Sequence, residues 1–115
     1  MENQSLLSLV KNYFKHRNYD VKQNVMFDGV SGLIYKFDLL LQKDDVESIV
    51  LVMDWNRTVG VDVVVKADRA SEDVGILNPI IVAKNFSSHA KAYSNRRRIT
   101  LLTKRKILSE LGTLN

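Results

Sequence analysis

The sequence predicts a single α/β domain, residues 1–115, whose mixed central sheet is flanked by helices in the order αβββαβαβα. Two observations predict this class. Amphipathic segments with apolar residues three or four positions apart alternate with short aliphatic runs typical of strands. In the second half, helices separate successive strands, which requires parallel pairing there, whereas the first three strands are consecutive and can pair as hairpins. A chain of 115 residues has room for one core.

The first third of the chain is predicted to form a helix, a strand and a loop. Apolar residues recur at helical spacing between residues 3 and 17, which predicts an amphipathic helix. Residues 21–27 alternate in the manner of a short strand, and residues 28–32 contain two glycines and form a loop. The apolar face of the helix consists of Leu6, Leu9, Val10, Tyr13 and Phe14.

Two further strands, at residues 34–42 and 47–55, are predicted to pair through a polar hairpin turn at residues 43–45. The second strand contains an uninterrupted apolar run, which is typical of a strand covered on both faces. Residues 60–72 are ambiguous, because their valines fit a strand as well as one face of a helix. We favour a helix, since the covered strand before it needs a helix on its face.

The last third is predicted to alternate between strand and helix. Residues 79–83 are an apolar strand that begins at a proline, residues 87–95 a short helix, and residues 99–102 a four-residue strand. Thr103 is expected to cap a final helix that ends at Gly112. Because a helix separates each pair of successive strands here, the last strands are expected to pair parallel with one another and with the central strand.

Composition excludes several classes of protein. The chain has no cysteine, which excludes disulfides and thiolate-bound zinc and fits a reducing cytoplasm. No apolar run approaches the roughly 18–20 residues of a membrane-spanning helix, and the N-terminus lacks the pattern of a secretory signal. We therefore expect a cytoplasmic protein without a membrane partner.

Charge is distributed unevenly along the chain. Residues 84–115 contain eight basic residues and one acid, whereas residues 1–83 contain nine basic and twelve acidic residues. A basic C-terminal quarter indicates a polyanionic partner, most simply nucleic acid, although a solvated basic face is an equal alternative. Two basic triplets carry most of this charge: Arg96, Arg97 and Arg98, and Lys104, Arg105 and Lys106.

The two triplets differ in what they indicate. Residues 96–98 suit the C-terminal end of the preceding helix and need no function. Residues 104–106 lie in the first turn of the last helix, where cations oppose the macrodipole. Because helix N-termini bind anions, cations at this unfavourable position favour a phosphate-binding surface.

Acidic side chains on two neighbouring predicted strands indicate a metal site. Asp38 lies inside the strand at residues 34–42, and Asp54 lies near the end of the next one. Hairpin pairing would bring both carboxylates to one end of the sheet, where two carboxylates and a backbone carbonyl would suit Mg²⁺ or Mn²⁺. An aspartate at a strand end is also commonly a cap or turn residue. Asp38 is harder to explain in this way, because a carboxylate among apolar residues is costly to desolvate without a partner.

Three segments of the sequence resemble the restriction-endonuclease-like, PD-(D/E)xK, superfamily, and within it the Mrr-type branch with its archaeal resolvase relatives. Residues 30–40 resemble the glycine loop that leads into the strand with the first aspartate. Residues 49–57 resemble the strand with the acid-x-lysine pair, and residues 79–102 resemble the late strand, helix and final short strand. The resemblance covers nearly the whole chain, with the same element order.

The resemblance implies a metal site with an unusual catalytic set. Asp38 and Asp54 would be metal ligands, with the carbonyl of Trp55 as a third. The family's lysine falls on Asn56, which can position a water but carries no charge. We expect Lys36 to share a strand face with Asp38 and to be the candidate replacement. The family's first-helix glutamate has no good match, since Glu2 lies too far upstream.

Two functions therefore stay open from the sequence. One is a DNA-binding, divalent-metal-dependent endodeoxyribonuclease that hydrolyses phosphodiester bonds, and the resemblance implies that it works as a homodimer. The other is a catalytically degenerate nucleic-acid-binding module or structural subunit of a nuclease assembly, which the asparagine at position 56 favours. A protein-interaction domain with a basic tail is a third, weaker alternative.

Overall fold

The structure is a computed structural model that describes residues 5–112. Within this range the predicted order αβββαβαβα is confirmed. The elements are α1 (Leu6–His16), β1 (Asp20–Asp28), β2 (Ile34–Lys43), β3 (Val46–Met53), α2 (Val61–Val74), β4 (Ile80–Ala83), α3 (Ser88–Arg97), β5 (Thr100–Thr103) and α4 (Lys104–Gly112). Residues 3 and 4, where the first helix was predicted to begin, lie outside the described residues, as does Glu2.

The strands form one five-stranded mixed sheet in the order β1-β2-β3-β4-β5. β1, β2 and β3 pair antiparallel, and β3, β4 and β5 pair parallel, as the sequence predicted. β2 and β3 join through a two-residue turn in which Asp44 and Asp45 have φ of 52° and 67°. Aspartate tolerates this left-handed conformation better than most residues, and positive φ at both central positions is typical of the turn that matches strand twist.

Helices cover both faces of the sheet. α1 and α4 pack on one face, called here the α1 face, and α2 and α3 pack on the other, the α2 face. The α1 face buries the predicted apolar stripe of the first helix together with Val50, Val82 and Ile107. No helix in residues 5–112 has the length and apolar character needed to cross a membrane.

Helix starts follow the caps that the sequence offers. The Ser5 and Ser87 hydroxyls accept hydrogen bonds from the N–H groups of the third residue along, at 3.1 Å each, and Thr103 caps α4 in the same way at 3.2 Å. The ambiguous segment is a helix, α2, which begins after extended Gly60 and ends at Gly75 with φ of 79°. A glycine suits this left-handed end, because it has no Cβ to clash.

Candidate active site at the carboxyl edge of the sheet

The side chain of Asp38 lies where β2 and β3 diverge. The β2–β3 ladder ends at the pair Leu39–Val50, and β3 continues towards its end beside β4 alone. Divergence leaves the N–H of Val52 without a partner strand on the β2 side. The Asp38 Oδ2 accepts this N–H at 2.7 Å. The aspartate that looked costly in an apolar strand therefore satisfies a backbone donor that the fork exposes.

Strict alternation of side chains fails at this fork. Phe37 and Leu40 both pack on the α2 face, whereas Leu39 packs on the α1 face. Strict alternation, from which a shared face for Lys36 and Asp38 was predicted, is therefore interrupted between Phe37 and Leu39. The irregularity turns the Asp38 carboxylate towards β3, where it bonds the backbone.

Lys36 is not joined to the two aspartates. It lines an apolar groove on the α2 face together with Tyr35 and Trp55. No hydrogen bond or ion pair within residues 5–112 connects its ammonium to Asp38 or Asp54. Its role as the replacement lysine stays a prediction that this geometry does not support.

Asp54 follows immediately after β3, which ends at Met53, two residues earlier than predicted. Its Oδ2 lies 3.5 Å from the N–H of Leu6, the first residue of α1. The N-terminal end of a helix carries partial positive charge, so α1 supports a carboxylate at this position. Since Asp38 bonds Val52, two residues before Asp54, the two carboxylates belong to the same end of β3.

Lys84 places an ammonium group beside Asp54 and Asn56. The parallel register pairs Met53 with Ala83, so the residues that follow them are neighbours. The Lys84 Nζ donates a hydrogen bond to the Asn56 Oδ1 at 2.8 Å and lies 3.8 Å from the Asp54 Oδ1. The Lys84 side chain is only 32% exposed, so its charge is held near these two residues. The end of the next strand thus places an ammonium group beside position 56.

Trp55 and Asn56 make different contacts. The Trp55 ring packs on the α2 face, and the Arg57 guanidinium lies 4.4 Å from its ring centroid. Asn56 is exposed and accepts from Lys84. The carbonyl of Trp55 as a metal ligand stays a prediction.

The donor set suits a hard divalent cation. In the described part of the chain, no three histidine, cysteine, aspartate or glutamate side chains converge on one point. Asp38 and Asp54 would therefore hold a metal as a pair, with the remaining positions filled by water or backbone oxygen. Mg²⁺ commonly binds through one or two carboxylates and keeps several waters. The residues thus fit Mg²⁺ or Mn²⁺, and their assignment as ligands stays a prediction.

The structure separates the members of the C-terminal basic triplet. Arg105 lines a cleft with Lys84 and Lys91, close to the acidic pair. The Lys106 Nζ lies 3.8 Å from the Glu110 carboxylate. Lys104 begins α4. One of these three cations therefore faces the same cleft as Lys84.

One residue of the arginine triplet, Arg97, connects two helices. The Arg97 Nε donates to the Asp68 Oδ2 at 2.9 Å, and its Nη2 donates to the Glu72 Oε2 at 2.8 Å, so it ties α3 to α2. Asp68 is buried, and the Tyr93 hydroxyl also donates to it at 2.7 Å. Arg96 and Arg98 are exposed, and Arg98 ends α3 with φ of 59°. DNA binding by this triplet stays a prediction.

Comparison with known proteins identifies the fold. No protein-family model matches the chain, and no curated protein matches its sequence. Solved structures do match. A protein of unknown function, AF1548, has a TM-score of 0.82 at 18% identity, over 92% of this chain and 65% of its own. A repair endonuclease from Pyrococcus abyssi has a TM-score of 0.62 at 14% identity, over 90% of this chain and 48% of its own. Protein VC1899 from Vibrio cholerae has a TM-score of 0.67 at 15% identity, over 93% of this chain and 30% of its own.

These likenesses show the fold. The chain is a mixed α/β domain of nuclease-like fold, consistent with the predicted restriction-endonuclease-like architecture. It spans between 30% and 65% of the length of these three structures. The Mrr-type branch, bound magnesium and a homodimer stay predictions.

Proposed function

We propose that this domain binds DNA and hydrolyses its phosphodiester bonds with a divalent metal held by Asp38 and Asp54. The observation that carries the proposal is the position of Lys84, whose ammonium bonds Asn56 and lies beside Asp54. A cation next to a carboxylate pair is the combination that phosphoryl-transfer sites need. The neutral side chain at position 56 therefore does not leave the site without a positive charge.

Each residue of the site has a distinct task in this proposal. When bound, the metal would polarise the phosphate and lower the pKa of an attacking water. Asp38 and Asp54 supply the anionic oxygens, and the Val52 N–H fixes the orientation of the first carboxylate. Lys84 stabilises the negative charge that develops on the phosphate. Asn56 accepts the Lys84 hydrogen bond and so aims the ammonium.

Two further observations support DNA as the substrate. The repair endonuclease from Pyrococcus abyssi shares the fold. The positive charge of the chain is concentrated in residues 84–115, and Lys84, Lys91 and Arg105 from that segment line one cleft at the carboxyl edge. Phosphate contacts from lysine and arginine are the main source of affinity for nucleic acid.

The second candidate function is a nucleic-acid-binding module without catalysis. Its support is Asn56, which stands where the resemblance to the nuclease family predicts a lysine. Such a module would keep the cleft and lose only the chemical step. It would serve as a binding or structural subunit beside an active partner.

A cleavage assay separates the two functions. Double-stranded, single-stranded and branched DNA would each be incubated with the protein in Mg²⁺, in Mn²⁺ and in EDTA. We expect metal-dependent cleavage that Asp38→Ala abolishes. If Lys36 is the replacement lysine that the sequence predicts, Lys36→Ala reduces cleavage, whereas an unchanged rate leaves Lys84 as the cation of the site. DNA binding without cleavage in any metal would establish the second function. Failure to bind any nucleic acid at low salt would refute both and favour a protein-interaction domain.

A further inference from the structure

A cleft of about 220 Å³ opens beside the acidic pair, between the end of β4 and the starts of α3 and α4. The residues that line it are Lys84, Asn85, Phe86, Lys91, Thr103 and Arg105. Three of these six residues are basic and none is acidic. Such a lining suits a ligand that carries negative charge.

The three cations come from separate elements, and two of them have no carboxylate partner in the described part of the chain. Lys84 hydrogen-bonds a neutral amide, and its nearest carboxylate, on Asp54, is 3.8 Å away. Neither Lys91 nor Arg105 pairs with a carboxylate within residues 5–112. Like charges that line one cleft repel one another. An anion in the cleft would supply Lys91 and Arg105 with a counter-charge and would also attract Lys84.

The backbone around the cleft adds to its positive potential. α3 and α4 follow the parallel strands β4 and β5, so both helices begin at the carboxyl edge of the sheet. Ligands of open α/β sheets commonly bind at this edge. The positive ends of the two helix dipoles therefore act in the same direction as the three side chains.

We propose that this cleft binds a second phosphate of the nucleic-acid strand, next to the phosphate at Asp38 and Asp54. The inference rests on the proposed function, since it takes the acidic pair as the place of the scissile bond. Lys84 borders both places, so a strand that runs from the acidic pair into the cleft passes one shared ammonium. The ligand is either a phosphodiester within the strand or a phosphate at its end.

Binding measured in EDTA tests the cleft independently of cleavage. Fluorescence anisotropy would follow one labelled oligonucleotide sequence, with a 5′-phosphate and with a 5′-hydroxyl, over a range of salt concentrations. For Lys91→Ala/Arg105→Ala we expect affinity on the order of tenfold weaker and a log–log salt slope reduced by about 1, the value for one lost phosphate contact. Both side chains are exposed, so thermal melting should match the wild type.

The matched control is Lys15→Ala/Lys22→Ala, which removes the same charge from exposed positions on α1 and β1. A loss confined to the cleft variant supports the inference. If the loss is equal for both oligonucleotides, the ligand is an internal phosphodiester. If it is confined to the 5′-phosphate, the ligand is a terminal phosphate. An equal loss in the control, or unchanged affinity and slope, overturns the inference.

The same pair of assays keeps the two proposals apart. If the cleft variant binds DNA more weakly but the wild type never cuts DNA, phosphate binding in the cleft is supported and catalysis is refuted. If the wild type cuts DNA in Mg²⁺ but the cleft variant binds DNA as tightly as the wild type, catalysis is supported and phosphate binding in the cleft is refuted. Absence of any DNA binding refutes both.

Discussion

The Lys84 ammonium donates a hydrogen bond to the Asn56 amide oxygen at 2.8 Å, across the edge between β4 and β3. These residues are 28 positions apart in the chain, and the parallel register of the two strands makes them neighbours. Asn56 has no charge of its own. Its contact with Lys84 holds an ammonium group beside Asp54.

Removal of the Lys84 ammonium should slow DNA cleavage much more than it weakens folding. For Lys84→Ala we expect a single-turnover rate lower by on the order of 10²-fold, the usual cost of one electrostatic stabiliser. Thermal melting should change little, because among residues 5–112 the ammonium bonds only Asn56 and Asp54. Lys22→Ala is the control for loss of charge. Equal rates in wild type and Lys84→Ala would remove Lys84 from the mechanism.

Two substitutions of Asp38 should separate its proposed metal-binding role from its structural role. Asp38→Asn keeps an oxygen that can accept the Val52 N–H, so we expect near wild-type stability with loss of metal-dependent cleavage. Asp38→Ala removes the acceptor and should also cost about 1–3 kcal/mol of unfolding free energy. Urea unfolding and cleavage assays measure the two effects. An active Asp38→Asn variant would argue against metal binding at this residue.

Arg97 should matter for stability more than for DNA binding. Its guanidinium bonds the buried carboxylate of Asp68, which would keep only the Tyr93 hydroxyl as a partner in Arg97→Ala. We expect a loss of roughly 1–3 kcal/mol in chemical unfolding, because a buried charge would lose its cationic partner. Arg96→Ala, at an exposed neighbouring position, is the control and should be near neutral. A larger effect of Arg97→Ala on DNA affinity than on stability would contradict this account.

The Tyr13 hydroxyl should make stability fall at high pH. Burial, followed by the hydrogen bond to the Glu110 carboxylate, raises the pKa of Tyr13 to about 12. A phenol in the unfolded chain has a pKa of about 10, so the unfolded state loses its proton first. The Tyr13 contribution is therefore complete below pH 10 and is lost as pH rises from 10 to 12.

Tyr13→Phe tests this linkage. Urea unfolding at a series of pH values should show a shallower fall of unfolding free energy between pH 10 and 12 in Tyr13→Phe than in the wild type. Tyr19→Phe is a suitable control, since its hydroxyl bonds no carboxylate within residues 5–112. Identical slopes in wild type and Tyr13→Phe would show that the phenol does not hold its proton more tightly in the folded state.

Local patterns were sufficient to predict the fold. Apolar spacing located the helices, the polar residues 43–45 located the hairpin, and alternation of helix and strand after residue 60 predicted the parallel half of the sheet. The ends were less accurate. β3 stops at Met53 and not at residue 55, because its pairing with β4 ends at the pair Met53–Ala83.

The site could be predicted only in part. Asp38 and Asp54 were identifiable because each acid interrupts or follows an apolar run. Lys84 was missed, although it follows the apolar run of β4 as Asp54 follows that of β3. Its contact with Asn56 depends on the register between β3 and β4. The two strands are joined through a helix, and the sequence of that connection does not reveal the register. The Lys36 hypothesis assumed strict alternation, which the fork interrupts.

The most direct test of the account is to move the ammonium group back to position 56. Single-turnover cleavage in Mg²⁺ or Mn²⁺ would be compared for the wild type, Lys84→Ala, and Lys84→Ala/Asn56→Lys. Since Asn56 and Lys84 are in contact, the relocated ammonium should reach the same place. We expect cleavage by the wild type, loss of cleavage in Lys84→Ala, and recovery of at least a tenth of the wild-type rate in the double variant. A tenfold lower rate corresponds to an activation barrier about 1.4 kcal/mol higher than that of the wild type. A wild-type protein that binds metal and DNA but never cleaves, or a single variant as fast as the wild type, would contradict it.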